Sequence, residues 1–185
     1  MSEPVTANAE RDTIVAATTR WVERAVIGLN LCPFAKAVHA KGQIRYSVCA
    51  GVTPEALLIE LINELQYLAA ANPAVTDTTL LIHPFVFADF LDYNDFLEVA
   101  DAAIAELKLD GVMQIASFHP HYQFADTRAD DISNFTNRSP YPTLHLLREA
   151  SVARAVEAFP DAVDIFEKNI ETMTKLGHSG WEKLR

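Results

Sequence analysis

The sequence predicts an α/β fold: a single domain with a small, mainly parallel sheet of three or more strands, covered by about five helices. Three observations predict it. QIRYSVCA, TLLIHPFVF and VMQIASF have the length and period of strands. A helical pattern of roughly four to five turns separates each from the next, the signature of two successive βαβ units. The chain has 185 residues, 50% of them hydrophobic and 22% charged. That is enough for one core without disulfides or a structural metal, and it excludes disordered and collagen-like classes.

Residues 1–10 read as a disordered tail, which leaves 11–185 for the domain. From Asp12 onward, Ile14, Val15, Thr18, Trp21, Val22, Ala25 and Val26 share one helical face that ends near Gly28. A short helix starts at Pro33 and stops at Gly42. Ile44, Tyr46 and Val48 then alternate with Arg45, Ser47 and Cys49, as in a half-buried strand.

Thr53 suits an N-cap and Pro54 the first turn, where its missing N–H costs nothing. Leu57, Leu58, Leu61, Ile62, Leu65 and Leu68 form the buried stripe of that helix, with Glu60 and Glu64 on the opposite side and Asn72-Pro73 as its end. TLLIHPFVF shows no polar alternation and reads as a strand covered on both faces. The next helix begins near Asp92 and buries Tyr93, Phe96, Leu97, Ala100, Ile104 and Leu107. After the Asp110-Gly111 turn comes VMQIASF. A long helix is expected from Pro142 to Phe159, and another from Asp161 to Leu176, ending at Gly177. The segment between the third strand and Pro142 has more than about twenty residues and no regular pattern, a loop length that in a compact domain usually carries function.

The formal net charge of −10 argues against nucleic acid and against an anionic membrane surface as partners. The charge is unevenly placed. Asp89 to Asp131 holds ten acidic residues against Lys108 and Arg128, a net of −8, whereas Arg24 to Pro54 holds only Arg24, Lys36, Lys41 and Arg45. Arg138 and Arg148 are the formal charges between Ile132 and Arg148. A locally positive pocket for a small anionic molecule follows, with arginines giving planar contacts to carboxylate or phosphate. The start MSEPVTANAE lacks the basic and apolar segments of a signal peptide, and two cysteines make no disulfide framework, so a reducing cytoplasm is expected.

Three constellations could carry chemistry. Cys32 precedes Pro33, which puts it near a helix N-terminus with Lys36 one turn on, an environment that favours a thiolate nucleophile. His83 and His119 each end a strand in a His-Pro step, where open parallel sheets gather ligands, and either suits general acid or base work. His83, His119 and His121 are the alternative, as ligands of a divalent metal in a hydrolase, although no cofactor is otherwise indicated. Asn137-Arg138-Ser139-Pro140-Tyr141-Pro142 is a stiff lead into the expected helix, on which His145 and Arg148 would share a face and converge with Arg138 on an anion. Arg45, Tyr122 and Gln123 complete the candidate substrate-binding set.

VIGLNLCPFAKAV, KGQIRYSV, SFHPHYQFAD and NRSPYPTLHLLREASV resemble signature segments of the DUF1415 family, a set of mostly bacterial proteins. The resemblance runs from Trp21 to Trp181. It implies a single cytoplasmic α/β domain with no established activity, and its segments contain Cys32, His119, Tyr122, Gln123, Arg138 and His145.

The expected function is therefore that of a small cytoplasmic enzyme acting on an anionic small molecule, with histidine acid/base chemistry and Cys32 as nucleophile or polar wall. The alternative is a non-catalytic anion-binding module built from the same residues. Both are compatible with a homo-oligomer.

Overall fold

In the computed structural model, which describes residues 3–158 and 165–184, four strands form one sheet in the order β1-β2-β4-β3. β1 is Ile44–Val48, β2 Thr78–Ile82, β3 Met113–Phe118 and β4 Thr143–Arg148. β1 and β2 are parallel, and β4 runs antiparallel to both β2 and β3. The sheet is thus mixed, which corrects the expectation of a mainly parallel one. Because β4 lies between β2 and β3, the second βαβ unit is split by a strand from later in the chain.

β4 occupies the first half of the helix expected from Pro142. Leu144 and Leu146 are fully buried on one face, while His145 and Leu147 point to the other, a period of two. Strands on both sides satisfy its backbone groups, and helix resumes only at α5, Glu149–Ala158. The end of that expected helix at Phe159 and the start of the next at Asp161 lie outside the described residues.

α1 runs Glu3–Trp21 and continues as a π-helix, Val22–Ile27. It therefore includes residues 3–10, which the sequence reads as a tail. Pro4 sits in its first turn, where proline is tolerated. The predicted buried face holds: Ile14, Thr18, Trp21, Val22 and Ala25 are all buried. α2 is Ala35–Ala40, and Gly42 follows it at φ 67.

α3, Pro54–Ala70, starts as predicted. The Thr53 hydroxyl accepts from the Ala56 N–H at 3.2 Å, and Leu57, Leu61, Leu65 and Leu68 are completely buried, each contributing about 2 kcal/mol by area. Glu64 departs from the pattern. It is buried and pairs with Arg45 and Ser47 on the sheet rather than facing solvent.

α4 is Phe90–Glu106; Asp89 caps it, accepting from the Leu91 and Asp92 N–H groups. α3 and α4 cover one sheet face through Leu81, Leu144 and Leu146. On the other face Leu80, Tyr46 and Phe118 meet Trp21, Val22, Ala25 and the last helix, α6, Ile165–Glu182. α6 kinks at Gly177, where φ is 63. Among the described residues no helix is long and apolar enough to cross a membrane.

Candidate functional site

The register of the four strands decides which side chains share the face toward α1 and α5. Ile44, Thr78, Leu80, Gln114, Ala116, Phe118, His145 and Leu147 do. They floor a cavity of about 520 Å³, within the usual range for small-molecule sites. Its walls come from Trp21, Val22 and Val26 on one side, Cys32 and Phe34 below α2, and Ser151, Val152 and Ala155 of α5. The lining is mostly apolar, so the few polar atoms in it stand out.

His145 is the central one. Its Nε2 lies 2.7 Å from the Thr78 hydroxyl, which itself lies 2.7 Å from the Leu146 carbonyl oxygen. A carbonyl only accepts, so the single Thr78 proton goes to Leu146 and the imidazole must donate from Nε2. Nδ1 is then left as an acceptor on a ring that lines the cavity. Burial pushes the His145 pKa down to about 4, which keeps the ring neutral near pH 7.

Cys32 lines the same cavity. It lies in the turn ahead of α2, whose N-cap is Phe34. Burial raises its pKa and outweighs the opposing hydrogen bonds from the Phe34 and Ala35 backbone, so the group in the wall is a neutral thiol. No hydrogen bond joins Cys32 to His145 among the described residues. Lys41 and Arg154 are exposed where they line the cavity. Among the described residues, neither has a carboxylate within ion-pair distance.

The two His-Pro histidines come together elsewhere. His83 stacks on Tyr93 with centroids 5.5 Å apart, and Tyr93 stacks on His119 at 5.2 Å. His83 Nδ1–H donates to the Val86 carbonyl, and its buried Nε2 has no hydrogen-bond partner. Burial takes its pKa down to about 4. In His119 both nitrogens are engaged by backbone: Nε2–H donates to the Phe87 carbonyl, and Nδ1 accepts the His121 N–H, each at 3.0 Å. His121 is exposed on the far side of that turn. Among the described residues no group of three or more His, Cys, Asp or Glu side chains is placed to hold a metal ion.

The remaining candidates disperse. Arg45 projects from the opposite sheet face, where it forms a two-point pair with Glu64 at 2.8 and 2.9 Å and lies over the Tyr67 ring. Arg148 closes the C-terminus of α3 by donating to the Leu68 and Ala71 carbonyls, a favoured place for a cation. Tyr122 packs between Phe90 and Phe124. Gln123 is exposed and donates to Thr127, and Asn137 ties the loop to Ser117. Arg138 donates to the Tyr122 and Ala129 carbonyls, away from the cavity that holds His145. Of the residues singled out in the sequence, then, Cys32 and His145 share one cavity; Arg148 touches its rim.

Residues 13–183 match a family model described as Protein of unknown function (DUF1415). The chain belongs to the DUF1415 family. No curated protein and no solved structure matches it significantly. In this DUF1415 chain the sequence reading missed Thr78, Lys41, Gln114 and Arg154. Thr78 becomes visible only once β2 is registered against β4. Lys41 carried a weaker signal, as a basic residue without an acidic neighbour at helical spacing, whereas Arg154 has Glu157 three residues on and gave none.

Proposed function

We propose that the protein binds a small, mainly apolar molecule carrying one anionic group, in the cavity over the sheet. One observation carries this reading: an apolar cavity of about 520 Å³ combines a neutral imidazole with two cations, Lys41 and Arg154, that have no carboxylate within ion-pair distance among the described residues, while the lining carboxylate, Asp77, is engaged by Arg148 and the Ser151 hydroxyl. Apolar walls bind the body of the ligand, and a few placed polar groups orient it. The cations take the anionic end, and Nδ1 of His145 accepts a hydrogen bond from a hydroxyl or amide on the body. The absence of a paired nucleophile and base among the described residues favours binding over covalent chemistry. The setting is the reducing cytoplasm, where Cys32 and Cys49 stay as free thiols.

Anilinonaphthalene sulfonate and neutral N-phenylnaphthylamine share an apolar body and differ by the anion. Both should bind with enhanced fluorescence, and Ala116→Phe, which fills the cavity floor, should abolish both signals. Lys41→Gln with Arg154→Gln should weaken the sulfonate about tenfold and leave the neutral dye within about twofold. Equal loss of the two dyes in the double variant would refute the anion contact.

A second, catalytic reading rests on Cys32 and His145 lining one cavity, with Nδ1 able to take a proton from a water that attacks an ester carbonyl and expels its alcohol or phenol. Turnover of p-nitrophenyl octanoate above the buffer rate, lost in His145→Gln, would favour it. Binding without turnover favours the first reading.

A further inference from the structure

A second cavity, of about 560 Å³, lies beside the first, with Trp21 lining both. The HPHYQ and NRSPY stretches, which the reading above leaves unused, meet here: His121 comes from one and Arg138 from the other. Arg20 of α1 faces the same space. Among the described residues neither arginine has a carboxylate within ion-pair distance.

Arg138 is held in place rather than neutralised. Its Nε and one terminal nitrogen donate to the Tyr122 and Ala129 carbonyls at 3.1 and 2.7 Å, and the guanidinium lies 4.0 Å from the centroid of Phe135. Carbonyls satisfy its protons and leave its charge intact, and its remaining terminal nitrogen has no partner among the described residues. Glu182 is the carboxylate among the lining residues. Asp130 and Asp131 act on His178 from outside the cavity, and Asp130 is paired with Arg128. Phe135 and Trp181 meet edge to face at 5.6 Å and supply aromatic surface.

We propose that this second cavity binds a phosphate monoester on a planar, aromatic-type body. Arg138, held by two carbonyls, and Arg20, exposed on α1, together with His121 suit a dianion better than a single carboxylate, because the guanidinium fork matches phosphate oxygens in two-point contacts. The aromatic walls accept a ring by stacking. This site is separate from the apolar cavity, and either can fail without the other.

The test is a titration of the whole protein with phenyl phosphate at neutral pH, read by the fluorescence of Trp21 and Trp181, the two tryptophans of the chain, both lining this cavity. A saturable change is expected with phenyl phosphate and none with phenol. Benzoate should bind at least about tenfold more weakly. Arg20→Gln, which removes no hydrogen bond or ion pair to another side chain among the described residues, should weaken phenyl phosphate about tenfold. Arg138→Lys, which keeps the charge and loses the fork, should weaken it as well. Ala116→Phe in the first cavity should leave it unchanged. The proposal is overturned by no saturable change at millimolar phenyl phosphate, by equal binding of benzoate, by unaltered affinity in Arg20→Gln, or by loss of binding in Ala116→Phe.

Discussion

Thr78 and His145 face each other across the β2–β4 ladder with Oγ1 and Nε2 2.7 Å apart, and the Leu146 carbonyl fixes the direction of that bond. The imidazole is neutral and donating in the folded chain. Its pKa of about 4, like that of His83, lies well below the ~6.5 of an unfolded histidine. Between those values the unfolded chain binds protons that the folded one does not, so stability falls as pH falls. Each histidine contributes about 3 kcal/mol that is present near neutral pH and lost between about pH 6.5 and 4. Urea unfolding followed across this range should show the decline, and His145→Gln should flatten it by roughly half. A stability profile flat from about pH 6.5 to 4.5 would contradict the buried neutral assignment.

Glu64 gives a second prediction. Its carboxylate is buried and meets both Arg45 and Ser47, while the Arg45 side chain stays 39% exposed. Removing the acid in Glu64→Ala should cost about 2–3 kcal/mol, below the full range for a buried pair because water still reaches the arginine. Glu64→Gln, which keeps a hydrogen-bond acceptor, should cost less. Arg45→Gln should leave dye binding in the cavity unchanged, since Arg45 projects from the other sheet face. Weakened dye binding in Arg45→Gln would contradict that placement.

These two cases show what could be read in the chain and what could not. The leucine stripe of α3, the Thr53 cap and the fully buried β2 follow from local spacing, and they are where the sequence placed them. TLHLLR misleads because six residues, three of them leucine, carry too few repeats to separate a period of two from one of 3.6. Only the partners on both sides make it a central strand. That single change moves His145 and Arg148 from a shared helix face to opposite sheet faces, and it divides the expected anion cluster between two cavities. Glu64 looks solvent-facing by helical spacing, and only the placement of β1 under α3 supplies its arginine. The His83–Tyr93–His119 stack was visible as paired strand ends, but the tyrosine between them was not.

Cys32 should be a slow nucleophile. The backbone hydrogen bonds that would stabilise its thiolate are present, and burial outweighs them, so its pKa is raised. Iodoacetamide labelling near neutral pH, mapped by mass spectrometry to separate Cys32 from Cys49, should be slower in the folded protein than in urea. Cys49 is buried at 3% exposure, with its pKa also raised by burial, and should label slowly too. Folded-state labelling of Cys32 faster than in urea would restore the nucleophile role that the position before Pro33 first suggested.

Gly28 ends the π-helix that begins directly after Trp21, the residue that lines both cavities. A Cβ added there would sit 2.3 Å from the Arg24 carbonyl oxygen, a contact that backbone must move to relieve. The π-helix hands the chain from Trp21 to Gly28, where the Gly28 N–H bonds the Glu23 carbonyl at 3.0 Å. Trp21 is set at its start by edge-on contact with Phe118, centroids 5.2 Å apart. Gly28→Ala should therefore destabilise the fold by roughly 1–3 kcal/mol and shift the indole that both cavities share. Fluorescence titrations should show weaker binding of anilinonaphthalene sulfonate and of phenyl phosphate together, whereas Ala116→Phe should affect the first alone. If Gly28→Ala left stability and both ligands untouched, the segment would have relaxed without moving Trp21, and the indole could not couple the two cavities.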